Sequence, residues 1–235
     1  MFRTVFFDCD TTLSAMEGID ELAREYRDQI VPLTEAAMRG EVALESVYAR
    51  RLAIIRPSRA ELERVGRLYV ERLVPGAREV VAALQQADAE VHIISGGLRP
   101  AVLHVADALG VPHDRVHAVD IRFDEAGQYA GFDESSPLTR DGGKPVVITS
   151  LGPLPRPMML VGDGNTDLEA KGVVDCFVGF AGVVARPRVV AEAHVVVHER
   201  SLFPVLALAL DGPATAASHA PELPASPVPP PKGSP

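Results

Sequence analysis

The chain has 235 residues, 47% apolar and 23% charged, so it is long enough to bury a sizeable core and has the composition of an ordinary soluble globular protein. Its formal net charge is −9 with no block of Lys and Arg, which disfavours a nucleic-acid partner, because such a partner needs clustered cations to displace counterions. Two cysteines far apart in sequence, Cys9 and Cys176, form neither a disulfide framework nor a zinc site and are expected as buried structural thiols.

Met1 leads directly into a strand-like run, with no cleavable leader pattern and no segment of membrane-span length. A cytoplasmic protein with no membrane partner is expected. Thr4 to Asp8 is a short apolar run ending in acids, which reads as a buried strand with a chemical C-terminal end. From Met16 to about Leu73, apolar residues recur at helical spacing, as in Ile19, Leu22, Ala23 and Tyr26. Ser58 followed by Glu61 is a capping-box pattern that opens a helix through Leu73. Residues 15–74 are therefore expected as an all-helical insertion, and residues 1–14 with 75–211 as a core.

After Pro75 and Gly76, strands and helices alternate. Ala77 to Gln86 and Pro100 to Leu109 read as helices, and Val91 to Ile94 as a strand. Ala118 to Phe123 and Tyr129 to Phe132 read as a hairpin around Asp124 to Gly127. Met158 to Val161, Cys176 to Phe180 and Val195 to Val197 read as further strands. This alternation predicts an α/β fold with a Rossmann-like parallel sheet covered on both faces. Residues 212–235, rich in Pro, Ala and Ser, lack the periodicity of a core and are expected as a disordered tail.

In open parallel sheets, ligands bind outside the carboxyl ends of the strands. Three predicted strands end in polar, glycine-rich text: Asp8-Cys9-Asp10-Thr11-Thr12, Ser95-Gly96-Gly97, and Gly162-Asp163-Gly164-Asn165-Thr166-Asp167. Gly142-Gly143-Lys144 lies between the last two. Together they suit phosphoryl transfer, which needs an in-line nucleophile and charge neutralisation. Asp8 is the candidate nucleophile and Asp10 the candidate acid and base. Asp8 and Asp163, helped by the carbonyl of Asp10, would hold Mg²⁺. Lys144 would neutralise the phosphate, and Ser95 with the Gly96 amide would hold its oxygens at a helix start. Singly, each piece is explained as well by a turn, a loop or a surface charge; four in this order at strand ends are not.

These segments resemble the haloacid-dehalogenase superfamily, with Asp at position 10, as its phosphatases have. The helical insertion resembles a type-one cap. The resemblance narrows to the phosphoserine phosphatase family through Phe7 to Thr12 (FDCDTT), Glu17 to Ala23 (EGIDELA), Arg51 to Ala53 (RLA) followed by Arg56-Pro57-Ser58, Ile94 to Gly97 (ISGG), Tyr129 to Glu134 (YAGFDE), Gly142 to Lys144 (GGK) and Gly162 to Ala170 (GDGNTDLEA). It implies that Glu17 reads a substrate ammonium, that Arg51 pairs with a carboxylate, that Met38 lines the pocket, and that Thr166 and Ser95 face the ligand. The implied activity is hydrolysis of O-phosphoserine with Mg²⁺ in serine biosynthesis, by a monomer or homodimer. Two alternatives stay open: another small phosphomonoester or an alcohol acceptor, and a non-catalytic phosphoamino-acid sensor. Thr11 stands where the family usually has Ser, and its extra methyl crowds the loop beside the nucleophile.

Overall fold

The computed structural model describes residues 1–38 and 44–212, with the side chains of 34–38 and 44–45 outside the description. The expected tail lies outside the described residues apart from Gly212, and so does the side chain of Met38.

All four residues of β1 (Thr4–Phe7) are fully buried. Successive side chains of a strand point to opposite faces, so Val5 and Phe7 join one apolar layer and Phe6 the other. Among the described residues, the chain then enters four α-helices before Gly76: α1 (Gly18–Leu22), α2 (Arg27–Met38), α3 (Leu44–Ile55) and α4 (Arg59–Glu71). The α4 start is set by Ser58, whose hydroxyl accepts the Glu61 amide while the Glu61 carboxylate accepts the Ser58 amide. These are the reciprocal bonds that the sequence pattern predicts.

The two points where the chain leaves and re-enters the sheet side are tied together. The Val74 amide donates to the Leu13 carbonyl at 2.9 Å, and the Ala15 amide to the Arg72 carbonyl at 2.8 Å. The buried Ser14 hydroxyl donates to the Tyr69 carbonyl at 2.9 Å. The helix α4 also packs closely along the sheet side, because Gly66 lets it approach His104; a Cβ there would lie 2.2 Å from the imidazole.

Beyond Gly76 come α5 (Ala77–Gln86), β2 (Glu90–Leu98), α6 (Arg99–Leu109), β3 (Val116–Val119), β4 (Ile121–Phe123), β5 (Tyr129–Phe132), α7 (Gly143–Ser150), β6 (Met158–Gly162), α8 (Asn165–Leu168), β7 (Cys176–Phe180), α9 (Pro187–Glu192), β8 (Val195–Val197) and α10 (Phe203–Asp211). The main sheet runs β3-β2-β1-β6-β7-β8 with every pairing parallel. Phe7 is in register with Ile93 on one side and Val161 on the other. The three strands whose ends carry the polar motifs are therefore neighbours.

Two of the expected segments are corrected by the structure. The run expected as one hairpin strand divides at Asp120: Val116–Val119 joins the main sheet, and Ile121–Phe123 alone pairs antiparallel with β5. Ser95 to Gly97 is no helix start, since the extended chain continues, with a shifted register, to Leu98 before α6 begins. Both cysteines are buried and unpaired, as expected. Among the described residues, no helix is long and apolar enough to cross a membrane.

Candidate active site

At the C-terminal edge of β2, β1 and β6 lies a cavity of about 190 Å³ lined by Asp8, Asp10, Glu17, Arg51, Gly96, Lys144, Asp163, Thr166, Asp167 and Arg186, among others. Its floor is charged and buried. Asp8, Lys144, Asp163 and Asp167 are 6%, 5%, 2% and 1% exposed.

Asp8 follows β1 directly and is anchored by its amide on the Val161 carbonyl at 2.9 Å. Its Oδ1 accepts from Lys144 Nζ at 2.6 Å. Lys144 also donates to Asp167 Oδ1. It reaches this point because α7 starts against residues 137–138, where a Cβ on Gly143 would meet the Pro137 carbonyl oxygen at 1.9 Å. Burial alone would lower the lysine pKa, but Asp167 and Asp8 outweigh it and hold the ammonium charged. Burial also raises Asp8 well above the usual carboxylate range; Lys144 opposes this, while Asp167, Asp163 and Asp10 add to it.

Asp10 points its carboxylate elsewhere. Its Oδ1 accepts from the Gly18 amide at 2.6 Å and from the Tyr69 hydroxyl at 2.5 Å, and its Oδ2 from the Ser95 hydroxyl at 3.1 Å. Burial raises its pKa, and the hydrogen bonds from Tyr69, Gly18 and Ser95 pull it back. The loop between Asp8 and Ser14 turns tightly through Thr11, whose φ of 54° is left-handed, a strained conformation for a β-branched residue. The buried Thr11 Oγ1 has no hydrogen-bond partner among the described residues. The turn brings the Thr12 hydroxyl to Asp163 Oδ1 at 3.3 Å.

Carboxylate oxygens of Asp8, Asp163 and Asp167 all lie within 4.8 Å of one another. Three buried acids this close together, with only Lys144 and Arg186 as cationic partners among the described residues, offer hard oxygen donors in an arrangement that suits a divalent cation. The sequence motifs point to Asp8, Asp10 and Asp163 as ligands. Asp167 joins the cluster in addition, whereas the side chain of Asp10 is outside it, which leaves that residue only the backbone carbonyl foreseen for it.

At the rim, Arg51 on α3 pairs with Asp20, and its Nε is buried without a partner among the described residues. The neighbouring Arg50 is exposed. Glu17, just before α1, pairs with Arg186 at 3.1 Å, and Arg186 Nε also donates to Asp163 Oδ2 at 2.9 Å. Thr166, on α8, faces the same cavity. Ser95 lies behind it, fully buried, accepting the Gly97 amide at 2.9 Å. Arg186, Tyr69 and Gly18 are contributors that the sequence reading did not single out. Asp167 had a signal, since it closes the Gly162 to Asp167 motif. Arg186 had none, because a lone Arg before a proline announces nothing until the strand order is known.

Residues 5–170 match the family model of haloacid dehalogenase-like hydrolases. Phosphoserine phosphatase of Bos taurus is 42% identical over 189 residues, covering 79% of this chain and 84% of that protein. The chloroplastic phosphoserine phosphatase of Arabidopsis thaliana is 38% identical over 197 residues, covering 81% of this chain and 67% of that one. Among solved structures, a phospho-aspartyl intermediate analogue of phosphoserine phosphatase superposes with a TM-score of 0.69 over 88% of this chain and 98% of that one. At 23% identity, it shows the shared fold.

Proposed function

Because the chain belongs to the haloacid dehalogenase-like hydrolases, and within them to the phosphoserine phosphatases, we propose that its cavity hydrolyses O-phosphoserine to serine and phosphate through an aspartyl-phosphate on Asp8. The observation that carries this reading is the distribution of charge around one small cavity: Lys144 beside Asp8 on the floor, with Arg51 and Glu17 at the rim. A phosphate, a carboxylate and an ammonium would each meet an opposite charge there.

In the proposed reaction, an Asp8 carboxylate oxygen attacks phosphorus while the bond from phosphorus to the seryl oxygen breaks. Asp10 gives its proton to that oxygen, and serine leaves. Asp10, now ionised, takes a proton from a water molecule whose oxygen attacks the same phosphorus, which releases phosphate and restores Asp8. Lys144 holds its charge against Asp8 and the phosphoryl oxygens throughout. Asp8, Asp163 and Asp167, with the Asp10 carbonyl, are the residues that would hold Mg²⁺. The ion would supply charge neutralisation at the phosphoryl group. The helical segment 15–74 would serve as a cap over the cavity, with Glu17, Met38 and Arg51 contributed from it to read the amino-acid part of the substrate. The cavity volume supports a small metabolite, and intact Asp8 and Asp10 argue against a mere sensor.

The test is phosphate release from phosphoserine against a panel of small phosphomonoesters, with magnesium and with chelator, and with and without acceptor alcohols. Preference for phosphoserine that chelator abolishes is expected. Equal rates across the panel would refute the substrate assignment, and full activity of Asp8→Asn would refute the covalent mechanism.

A further inference from the structure

We propose that Tyr69 is a positioning residue for the proton transfer: its hydroxyl, together with the Gly18 amide, locks one oxygen of Asp10 so that the other is presented to the departing seryl oxygen. This rests on Asp10 being the acid and base of the proposed reaction.

Tyr69 lies in the last turns of α4 and is 1% exposed. A phenolic hydroxyl so deeply buried is costly unless bonded, and the acceptor it reaches is Asp10 Oδ1 at 2.5 Å. The Gly18 amide donates to the same oxygen at 2.6 Å. Two short donors converge on Oδ1, which disfavours a proton there. Oδ2 takes a single longer bond, 3.1 Å from the Ser95 hydroxyl. The proton that travels to the leaving group is therefore carried on Oδ2. Space for the arrangement is made by Gly18, where a Cβ would sit 2.0 Å from the Tyr69 hydroxyl oxygen.

The turn that carries Tyr69 is fixed to the sheet side of the molecule. Its carbonyl accepts from Ser14, and the Arg72 carbonyl accepts from the Ala15 amide at 2.8 Å. The hydroxyl thus holds its place at the base of the helical segment, whatever the outer part of that segment does.

A structural role and a positioning role separate on the leaving group. The alkoxide of serine needs a proton as it departs, and 4-nitrophenolate, a far weaker base, does not. The measurement is kcat/KM, which reports steps up to that departure, for Tyr69→Phe on phosphoserine and on 4-nitrophenyl phosphate. A fall of roughly 10- to 100-fold is expected on phosphoserine, against at most about threefold on the aryl ester. Gly18→Ala, which keeps the tyrosine but drives its hydroxyl aside, should show the same selectivity and guards against a folding defect in the first variant. Equal losses on both esters in both variants, or no loss on phosphoserine, would overturn the proposal. Failure of the substrate reading shows instead in the unaltered protein, as turnover of the aryl ester without turnover of phosphoserine. The Tyr69 comparison then runs on phenyl phosphate, whose leaving group also needs the proton.

Discussion

Glu17 is half-buried near the carboxylates of Asp10 and Asp163, and its acidity records that company. Burial first, then Asp10 and Asp163, push its carboxyl up to about 7, against the pull of Arg186. Below that pH it is largely neutral and offers an ammonium only a dipole. The KM for phosphoserine is therefore expected to rise as pH falls through 7, and Glu17→Gln should raise KM and flatten that dependence. Steady-state kinetics of both proteins between about pH 6 and pH 8 check this. Arg51 makes a separate prediction. Among the described residues its Nε is buried without a partner while another nitrogen pairs with the exposed Asp20, so a ligand carboxylate would complete the fork. Arg51→Ala should raise KM roughly 10- to 100-fold with a smaller effect on kcat, the usual range for a lost charge-assisted bond. Arg51→Lys should recover only part of this, because an ammonium cannot reproduce the planar fork. Unchanged kinetics in Arg51→Ala would remove the carboxylate from the substrate.

At the scale of elements, α4 carries the most of what was legible in advance. Its start is written in Ser58 and Glu61, and the structure has both capping bonds. Ser58→Ala is expected to cost about 1 kcal/mol of stability, seen as a lower melting temperature. Gly66 was not legible in the same way. A glycine inside a helix costs roughly 1 kcal/mol relative to alanine, and its reason appears only when α6 is packed against it. Gly66→Ala should thus lower the melting temperature even though it improves helix propensity; a rise would show that the two helices have room to spare. The strands 116–119 and 121–123 show the opposite failure. Val119 to Phe123 alternates apolar and polar residues straight through Asp120, so period alone could not reveal that Asp120 divides them between two sheets. The helices α9 and α10 were missed for a related reason: α10 is apolar almost throughout, so it has no polar face to give it helical period.

Across the whole molecule, the strand order is what turns scattered motifs into a site, and order cannot be read from strand patterns one at a time. Asp8 and Asp163 were legible because each directly follows a strand, and Ser95 because it follows the apolar run of β2; Arg186 and Tyr69 were not, because each arrives from an element whose placement depends on the finished fold. The far side of the same sheet has its own signature. His92 and His117 stack across β2 and β3, with Nδ1 and Nε2 3.1 Å apart. Burial, then His92 and Arg99, press His117 down to about 4 from its ordinary 6.5. A histidine with a lowered folded pKa contributes stability above its ordinary value and loses it as pH falls through the folded one. Between 6.5 and 4, the melting temperature of the unaltered protein should fall more steeply than that of His117→Gln. Parallel slopes would exclude the pair as a source of acid sensitivity. Finally, the two chain crossings at Leu13–Ala15 and Arg72–Val74 lie side by side. A segment that enters and leaves through one doorway can be exchanged during evolution without rethreading the sheet, so selectivity and chemistry are free to diverge separately. The freedom is incomplete here. Gly18 and Tyr69 reach back from the inserted stretch to the Asp10 carboxylate, so any replacement must bring its own two donors or surrender control of the proton.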